Sequence, residues 1–434
     1  MSLLPSTRTD TLLLGITGGL LACLPGLAAV RALWPVLVGT SFFAMAGLVS
    51  LRHRKALSMR TVLWGAVLLR LIFLPLLPEL TDDPFRYLWD GWLQVEGINP
   101  YRYVPEADAL TSFQTGVLFQ EMNSQSYYSI YPPLTQLTFM VGGMGQLVDW
   151  RFGYYLLKIL FTGAEFSGVV LLSRLTTARN AVLYAWNPIV LLEVAGQGHT
   201  EALMIPLLLG LVWAVQKGWA ATASMAVAAA GMVKLYPFVL WPFLLRRFGV
   251  RAVWPGALLG IALSLPYAAP YVLPHVKASV DLFSELFEFN AGPYYLVKYG
   301  FWLGTGADWS KIIGPMFRWL FAGSLPVLYF LDAWRDWSIR RSALWTIGLL
   351  FVLSTTVHPW YLVPILALSV LDDSPSWHWL WLAAASVGTY LFYTGGTYWV
   401  WIILGWGGAG AIAMWRHRAV VYGLVPSLRE EWGT

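Results

Sequence analysis

Residues 61–91 read TVLWGAVLLRLIFLPLLPELTDDPFRYLWDG. Residues 61–78 carry one charge, Arg70, and come close to the ~20 apolar residues a helix needs to cross a hydrocarbon core. The chain then turns acidic at once, with Glu79, Asp82, Asp83 and Asp90. Eight of the 23 acidic residues fall between 79 and 121. A span that runs directly into carboxylates delivers them to the lipid–water boundary. That placement suits chemistry at the membrane surface better than simple anchoring.

Composition extends the reading to the whole chain. Its 434 residues are 58% hydrophobic and 12% charged, whereas soluble proteins carry about 25% charged residues. Apolar runs recur at 11–29, 35–51, 61–78, 152–173, 180–192, 200–216, 219–234, 237–246, 252–270, 311–331, 343–356, 360–371, 376–393 and 398–415. These predict an all-α polytopic membrane protein, a single bundle of about 14 transmembrane helices, some tilted or broken because they fall short of a full span. The period-two alternation of a membrane β-barrel is absent. The apolar segment after Asp10 lacks a cleavage site and reads as a retained span. Cys23 is the only cysteine, which excludes a disulfide framework. No nucleotide-binding glycine loop, CxxC or HExxH motif is present, and no cofactor or metal ligand set is read.

The net charge of +5 is not a nucleic-acid signature. The basic residues cluster between spans: Arg52, Arg54, Lys55 and Arg60; Arg174 and Arg179; Arg246, Arg247 and Arg251; Arg335, Arg340 and Arg341; Arg416 and Arg418. By the positive-inside rule these face the cytoplasm, which places both termini inside a cell membrane. Parity then requires that 133–148 not cross and that it form an interfacial or re-entrant helix. The segments 79–151 and 271–310 become outer loops, the first carrying interfacial helices.

Four places combine polar groups with helix breaks. Asp82-Asp83-Pro84 reads as a helix start, because Asp caps and Pro suits the first turn; Asp83 is then either a cap for a helix at 84–96 or a base. Asp90 lies seven residues on, near the same face, with Arg86 one turn from both acids. Asn187-Pro188, Glu193 and Gly196-Gln197-Gly198-His199-Thr200-Glu201 read as a broken hairpin, whose tip is either solvated or binds sugar hydroxyls through His199 and Glu201. Lys234-Leu235-Tyr236-Pro237 ends a helix where a lysine can meet a phosphate. His358-Pro359-Trp360-Tyr361 sets a histidine before another break. Of the charges within spans, Lys158 and Glu165 read as an ion pair on one helix face.

These segments, in order and with Tyr131-Pro132-Pro133, resemble the GT-C superfamily of glycosyltransferases. The likeness is to polyprenol-phosphomannose-dependent mannosyltransferases of phosphatidylinositol-mannoside and GPI-anchor synthesis. The resemblance runs from about Arg70 to Pro364. It implies an inverting transfer outside the cytoplasm, from a polyprenyl-phosphate-linked sugar donor to a lipid or glycolipid acceptor among membrane lipids. It puts the catalytic base on Asp83, with Asp82 the alternative, and donor-phosphate contacts on Lys234 and His358. Sugar-binding or positioning roles fall to Asp90, Arg86, Tyr131, His199, Glu201, Trp360 and Tyr361. The chain departs from eukaryotic members in two extra N-terminal spans and in Asp-Asp-Pro where they have Asp-x-Asp. Two rival readings are a lipid or lipid-linked-glycan transporter, which would show internal repeats, and a glycan polymerase or ligase.

Overall fold

The computed structural model describes residues 8–54, 57–396 and 398–416. The chain termini, Lys55 and Arg418 lie outside the described residues. No strand occurs among those described. The principal helices are α1 (Arg8–Ala28), α2 (Trp34–Arg52), α3 (Met59–Phe73), α4 (Asp83–Val95), α5 (Pro133–Gln146), α6 (Trp150–Leu175), α7 (Ala178–Ala185), α8 (Glu201–Gln216), α9 (Ala220–Val233), α10 (Val272–Leu286), α11 (Gly292–Thr305), α12 (Ser310–Trp334), α13 (Ile339–Val352), α14 (Trp377–Ser386) and α15 (Tyr398–Arg416).

Among the described residues, five helices are long and apolar enough to cross a membrane: α1, α2 with the turn before it, α6, α12 and α15. Counting each of two bent pairs as one span gives up to seven. The expected fourteen spans are not confirmed by these helices. Apolar sequence reports burial, and here much of it is buried in protein rather than spanning lipid. Pro188–Gly196 and α8 meet at 120°, and Tyr236–Ala252 and Trp254–Tyr267 at 96°. The first bend contains a π-helical turn, Leu191–Gly196, followed by Gly198 at φ +74°. The expected solvated tip is absent: residues 187–202 are all buried.

Members of four of the five basic clusters make contacts at one end of the bundle. Arg52 donates to Asn180 Oδ1 at 3.0 Å and to the Asp373 carbonyl at 2.9 Å. Arg340 pairs with Asp372, and Arg416 binds the Ser374 and Pro375 carbonyls. Arg246 and Arg247 both hold Asp332. Opposite ends of the same helices, Trp34, Trp150 and Leu350–Phe351, line the cavity described below.

Buried charges inside the bundle hold the segment that leads into α4. Arg70 grips Glu165 with two bonds of 2.7 Å. Lys158 instead donates to the carbonyls of Leu74 and Leu76, at 2.7 and 2.5 Å. The Lys158–Glu165 pairing read from sequence is thus replaced: the planar guanidinium fork matches a carboxylate better than a lysine does, and the lysine reaches carbonyls left free beyond the end of α3. Tyr155 donates to the Pro75 carbonyl at 2.9 Å, and Gln197 Oε1 accepts the Leu80 amide at 2.9 Å. Residues 74–80 are thereby fixed in place just before Asp82 and Asp83.

α5 is wedged between α4 and α6. Gly91 and Gly143 face each other so closely that a Cβ on Gly91 would sit 1.9 Å from the Phe139 carbonyl oxygen. Small residues permit this backbone approach.

Candidate active site

A cavity of about 930 Å³ opens beside the start of α4. Asp82, Asp83, Arg86, Tyr131, Lys234, His358, Trp360 and Tyr361 line it. The expected site residues from four separate stretches therefore meet. His199 and Glu201 lie behind the wall, buried, and Asp90 lies in the core beneath.

Neither aspartate caps α4. Asp83 is the first helical residue, Asp82 occupies the capping position, and the Asp82 side chain makes no cap bond. The helix spans 83–95, one residue earlier than expected, and Gly97 at φ +75° follows its end. The Asp83 carboxylate is about a quarter exposed. It accepts from Tyr87 Oη at 3.1 Å and lies 3.7 Å from His199 Nδ1. Burial, then the neighbouring Asp82 charge, raises the Asp83 carboxyl to about 7, against the opposing pull of Lys234. Burial also raises Asp82. A carboxylate poised near neutrality is suited to accept a proton from a hydroxyl.

Arg86 and Asp90 have a different setting from the one expected. Arg86 pairs with Asp90 at 2.8 Å and not with Asp83. Asp90 also accepts from Ser129 Oγ and Gln136 Nε2, at 2.5 and 3.0 Å. Arg86 donates to the Ser124 and Tyr127 carbonyls, at 2.9 and 3.0 Å. The pair ties 124–129 down onto α4, and Arg86 Nη2 has no partner. Tyr131 packs edge-on against Tyr87, and Tyr87 stacks on Phe139 at 4.5 Å. These rings fix the tyrosine that bonds Asp83.

Lys234 is ion-paired with buried Glu201 and sits 4.2 Å from the Tyr361 ring centroid. Its charge is shared before any anion arrives. His358 stacks between Phe289 at 4.7 Å and Trp360 at 4.3 Å. Burial, then Lys234, pushes this imidazole down to about 3, so His358 offers a neutral ring and not a second cation. On the other side of Trp360 lies His199, stacked at 4.0 Å. The 355–358 segment is held by 287–290: Val357 donates to the Phe289 carbonyl at 2.8 Å, and Asn290 Nδ2 to the Val357 carbonyl at 3.0 Å.

Sequence reasoning missed several groups. Arg31 and Arg151 line the cavity, but each reads in sequence as an ordinary basic flank of a span. Tyr87 reads as a core aromatic of an amphipathic helix. Glu193 was visible as a charge in an apolar run, without a partner; here it accepts from Tyr390 at 2.7 Å and lies 3.2 Å from His199 Nε2. Among the described residues, no cluster of three or more His, Cys, Asp or Glu side chains is arranged to hold a metal ion.

No curated protein and no solved structure matches the chain. One family model does, over residues 11–248, more than half of the chain, and it covers α1 to α9 with Asp82, Asp83, His199, Glu201 and Lys234. With an apolar helical bundle and a carboxylate-lined cavity, the chain belongs to the MptA_B family, described as alpha-(1->6)-mannopyranosyltransferase, N-terminal domain, and is a membrane glycosyltransferase of mannosyl type.

Proposed function

We propose that this protein moves a mannosyl group, with inversion, from a polyprenyl-phosphate donor to a hydroxyl of a lipid-linked acceptor, on the extracytoplasmic face, as a GT-C enzyme. The observation that carries the proposal is the Asp83 carboxylate, raised to about 7, in a cavity that also holds Lys234 and His358.

The chemistry balances as a single displacement. The acceptor oxygen attacks the anomeric carbon, and Asp83 takes its proton. The bond from that carbon to the phosphate oxygen breaks on the opposite face. Lys234 draws off the developing negative charge, with Glu201 fixing the ammonium and neutral His358 offering an N–H. Arg31 and Arg151, lining the same cavity, add positive charge for the phosphate. An alpha-linked product formed by inversion requires a beta-linked donor. Tyr131, Trp360 and Tyr361 supply aromatic walls for the sugar, and Arg86 Nη2 offers a donor to a hydroxyl. His199 and Glu201, buried behind the wall, act on neighbouring side chains and do not touch the sugar.

A second, apolar groove of about 1390 Å³ runs between α11, α13, α14 and α15, lined by Leu296, Leu303, Leu344, Leu349, Ile402 and Ile403. It suits an isoprenoid or acyl chain. The outer loops 79–151 and 271–310 supply the base and the clamp on His358, respectively. The test is incubation of the detergent-purified protein with isotope-labelled polyprenyl-phosphate mannose and membrane lipid extract, read by mass spectrometry. Label is expected in a glycolipid carrying one added hexose. Label left wholly on the donor would refute the proposal.

A further inference from the structure

Behind Asp83 lies a line of buried polar groups that the displacement above does not use. Tyr390 Oη donates to Glu193 Oε1 at 2.7 Å. Glu193 Oε2 lies 3.2 Å from His199 Nε2, and His199 Nδ1 lies 3.7 Å from Asp83 Oδ2. Glu193 and His199 are fully buried. Neither ring nitrogen of His199 has a hydrogen-bond partner of good geometry, which is costly for a buried polar group unless something recovers the bond.

The backbone is built to make this line. An α-helix places side chains six residues apart on different faces. The π-helical turn Leu191–Gly196 and left-handed Gly198 fold the chain back, so that the His199 amide bonds the Glu193 carbonyl at 3.0 Å. A side chain on Gly198 would crowd Lys158 at 3.0 Å. π-Helical turns are rare and often mark functional sites. Trp360 covers the imidazole face at 4.0 Å and fixes the ring plane.

We propose that His199, held by Glu193, is a positioning residue for Asp83, donating from Nδ1 to the Asp83 carboxylate whenever Asp83 is ionised. This rests on the assignment of Asp83 as the base. Two protons serve three positions: one stays on Nδ1, and one is shared between Nε2 and the Glu193 carboxyl. The pair is neutral as a whole whichever side holds the shared proton, so it can sit in the core without an uncompensated charge. The proton from the acceptor goes to Asp83 and none leaves the pair. The 3.7 Å gap closes to an ordinary N–H···O bond with a movement of about 1 Å or less. That bond restrains the carboxylate and favours its ionised form. The other groups that face Asp83 are Asp82, Tyr87, Lys234, Glu201, Tyr131, Tyr361 and Tyr393; His199 also faces Lys234 and His358.

The experiment uses the full-length protein in detergent and has two arms. In the first, melting temperature is followed from about pH 5 to 9 for matched pairs with and without Asp83→Asn, which isolates the titration of Asp83. In a His199→Leu background the midpoint of that difference should rise by about one pH unit. His199→Asn, whose amide nitrogen can stand where Nδ1 was, should restore it. Should His199→Leu not fold, His199→Gln places its amide at the Nε2 position, leaves none facing Asp83, and should give the same shift. Glu193→Leu should shift the midpoint in the same direction. In the second arm, mannose transfer from polyprenyl-phosphate mannose to an alkyl mannoside should show kcat lowered about tenfold in His199→Leu, with KM changed less than about twofold. Its acid limb should move upward, and His199→Asn should recover most of the rate. An unmoved midpoint would overturn the positioning role, whether or not transfer falls. Because the first arm needs no substrate, absent transfer by the wild type would count against the proposed donor and acceptor instead.

Discussion

At the residue scale the decisive group is Asp83. Its side chain does not cap α4, so Asp83→Asn should leave the helix intact while removing the proposed base. Transfer is expected to fall about 100- to 10,000-fold in protein whose melting temperature near pH 6 is not lowered; wild-type turnover in that variant would move the base elsewhere, with Asp82→Asn the next to assay. The pH dependence follows from the same carboxyl. Its value lies at about 7, above that of the unfolded chain, so the folded protein holds the proton more tightly. Its contribution to stability is therefore full at low pH and is lost as pH rises through about 7. Activity runs the other way, because only the ionised form accepts a proton: turnover should climb between about pH 6 and 8, and a profile flat across that range would exclude Asp83 as the titrating base. Lys234→Ala should weaken use of the donor, and it also leaves Glu201 buried without a partner. Donor affinity must therefore be compared with Lys234→Ala/Glu201→Gln, which removes both charges. Equal affinity in that double variant and the wild type would deny Lys234 its phosphate role.

At the scale of elements, two packings set where that carboxylate stands. The first is the Arg70–Glu165 pair, which joins α3 to α6 with both groups buried. Removing one partner strands a charge and should cost about 3–5 kcal/mol, while replacing both by apolar residues should recover most of it. Thermal unfolding of Arg70→Met, Glu165→Leu and the double variant measures this; additive losses would mean that the two residues do not interact. The second is the contact of α4 with α5 at Gly91 and Gly143. A methyl group on Gly91 would overlap the Phe139 carbonyl, forcing the helices apart at a cost of about 1–3 kcal/mol. Because Asp83 and Asp90 ride on α4, Gly91→Ala should lower kcat as well as the melting temperature, and a normal kcat would show that the site tolerates movement of that helix.

At the scale of the whole molecule, members of four basic clusters converge at one end and the cavity lies at the other. Arg52, Arg246, Arg247, Arg340 and Arg416, from four of the five clusters, gather at Asp332 and Asp372–Pro375. If that end faces the cytoplasm, exposed Glu106 and Lys277 face outward. In a Cys23→Ser background, Glu106→Cys and Lys277→Cys should each react with an impermeant thiol reagent in intact cells. Reaction only after permeabilisation would reverse the orientation.

The sequence by itself determined that the chain is helical and apolar enough for a membrane, that carboxylates follow an early span, and where polar groups stand beside helix breaks. Those features are local: a run of apolar residues, a Pro after paired Asp, a His before a break. It did not determine how many helices cross, because hydropathy cannot separate a residue buried in lipid from one buried in protein. Residues 187–202 are the clearest case. Nor did it determine partners. Arg70, Glu165, Lys158, Glu193, His199, Glu201 and Lys234 are all conspicuous as charges or a histidine in apolar surroundings, yet their pairings run between elements up to 197 residues apart. Local spacing suggested Lys158 with Glu165; packing joined Arg70 to Glu165 and sent Lys158 to free carbonyls. Tertiary structure alone set Glu201 beside Lys234 and His199 between Glu193 and Asp83, because a buried charge takes the partner that packing brings within reach.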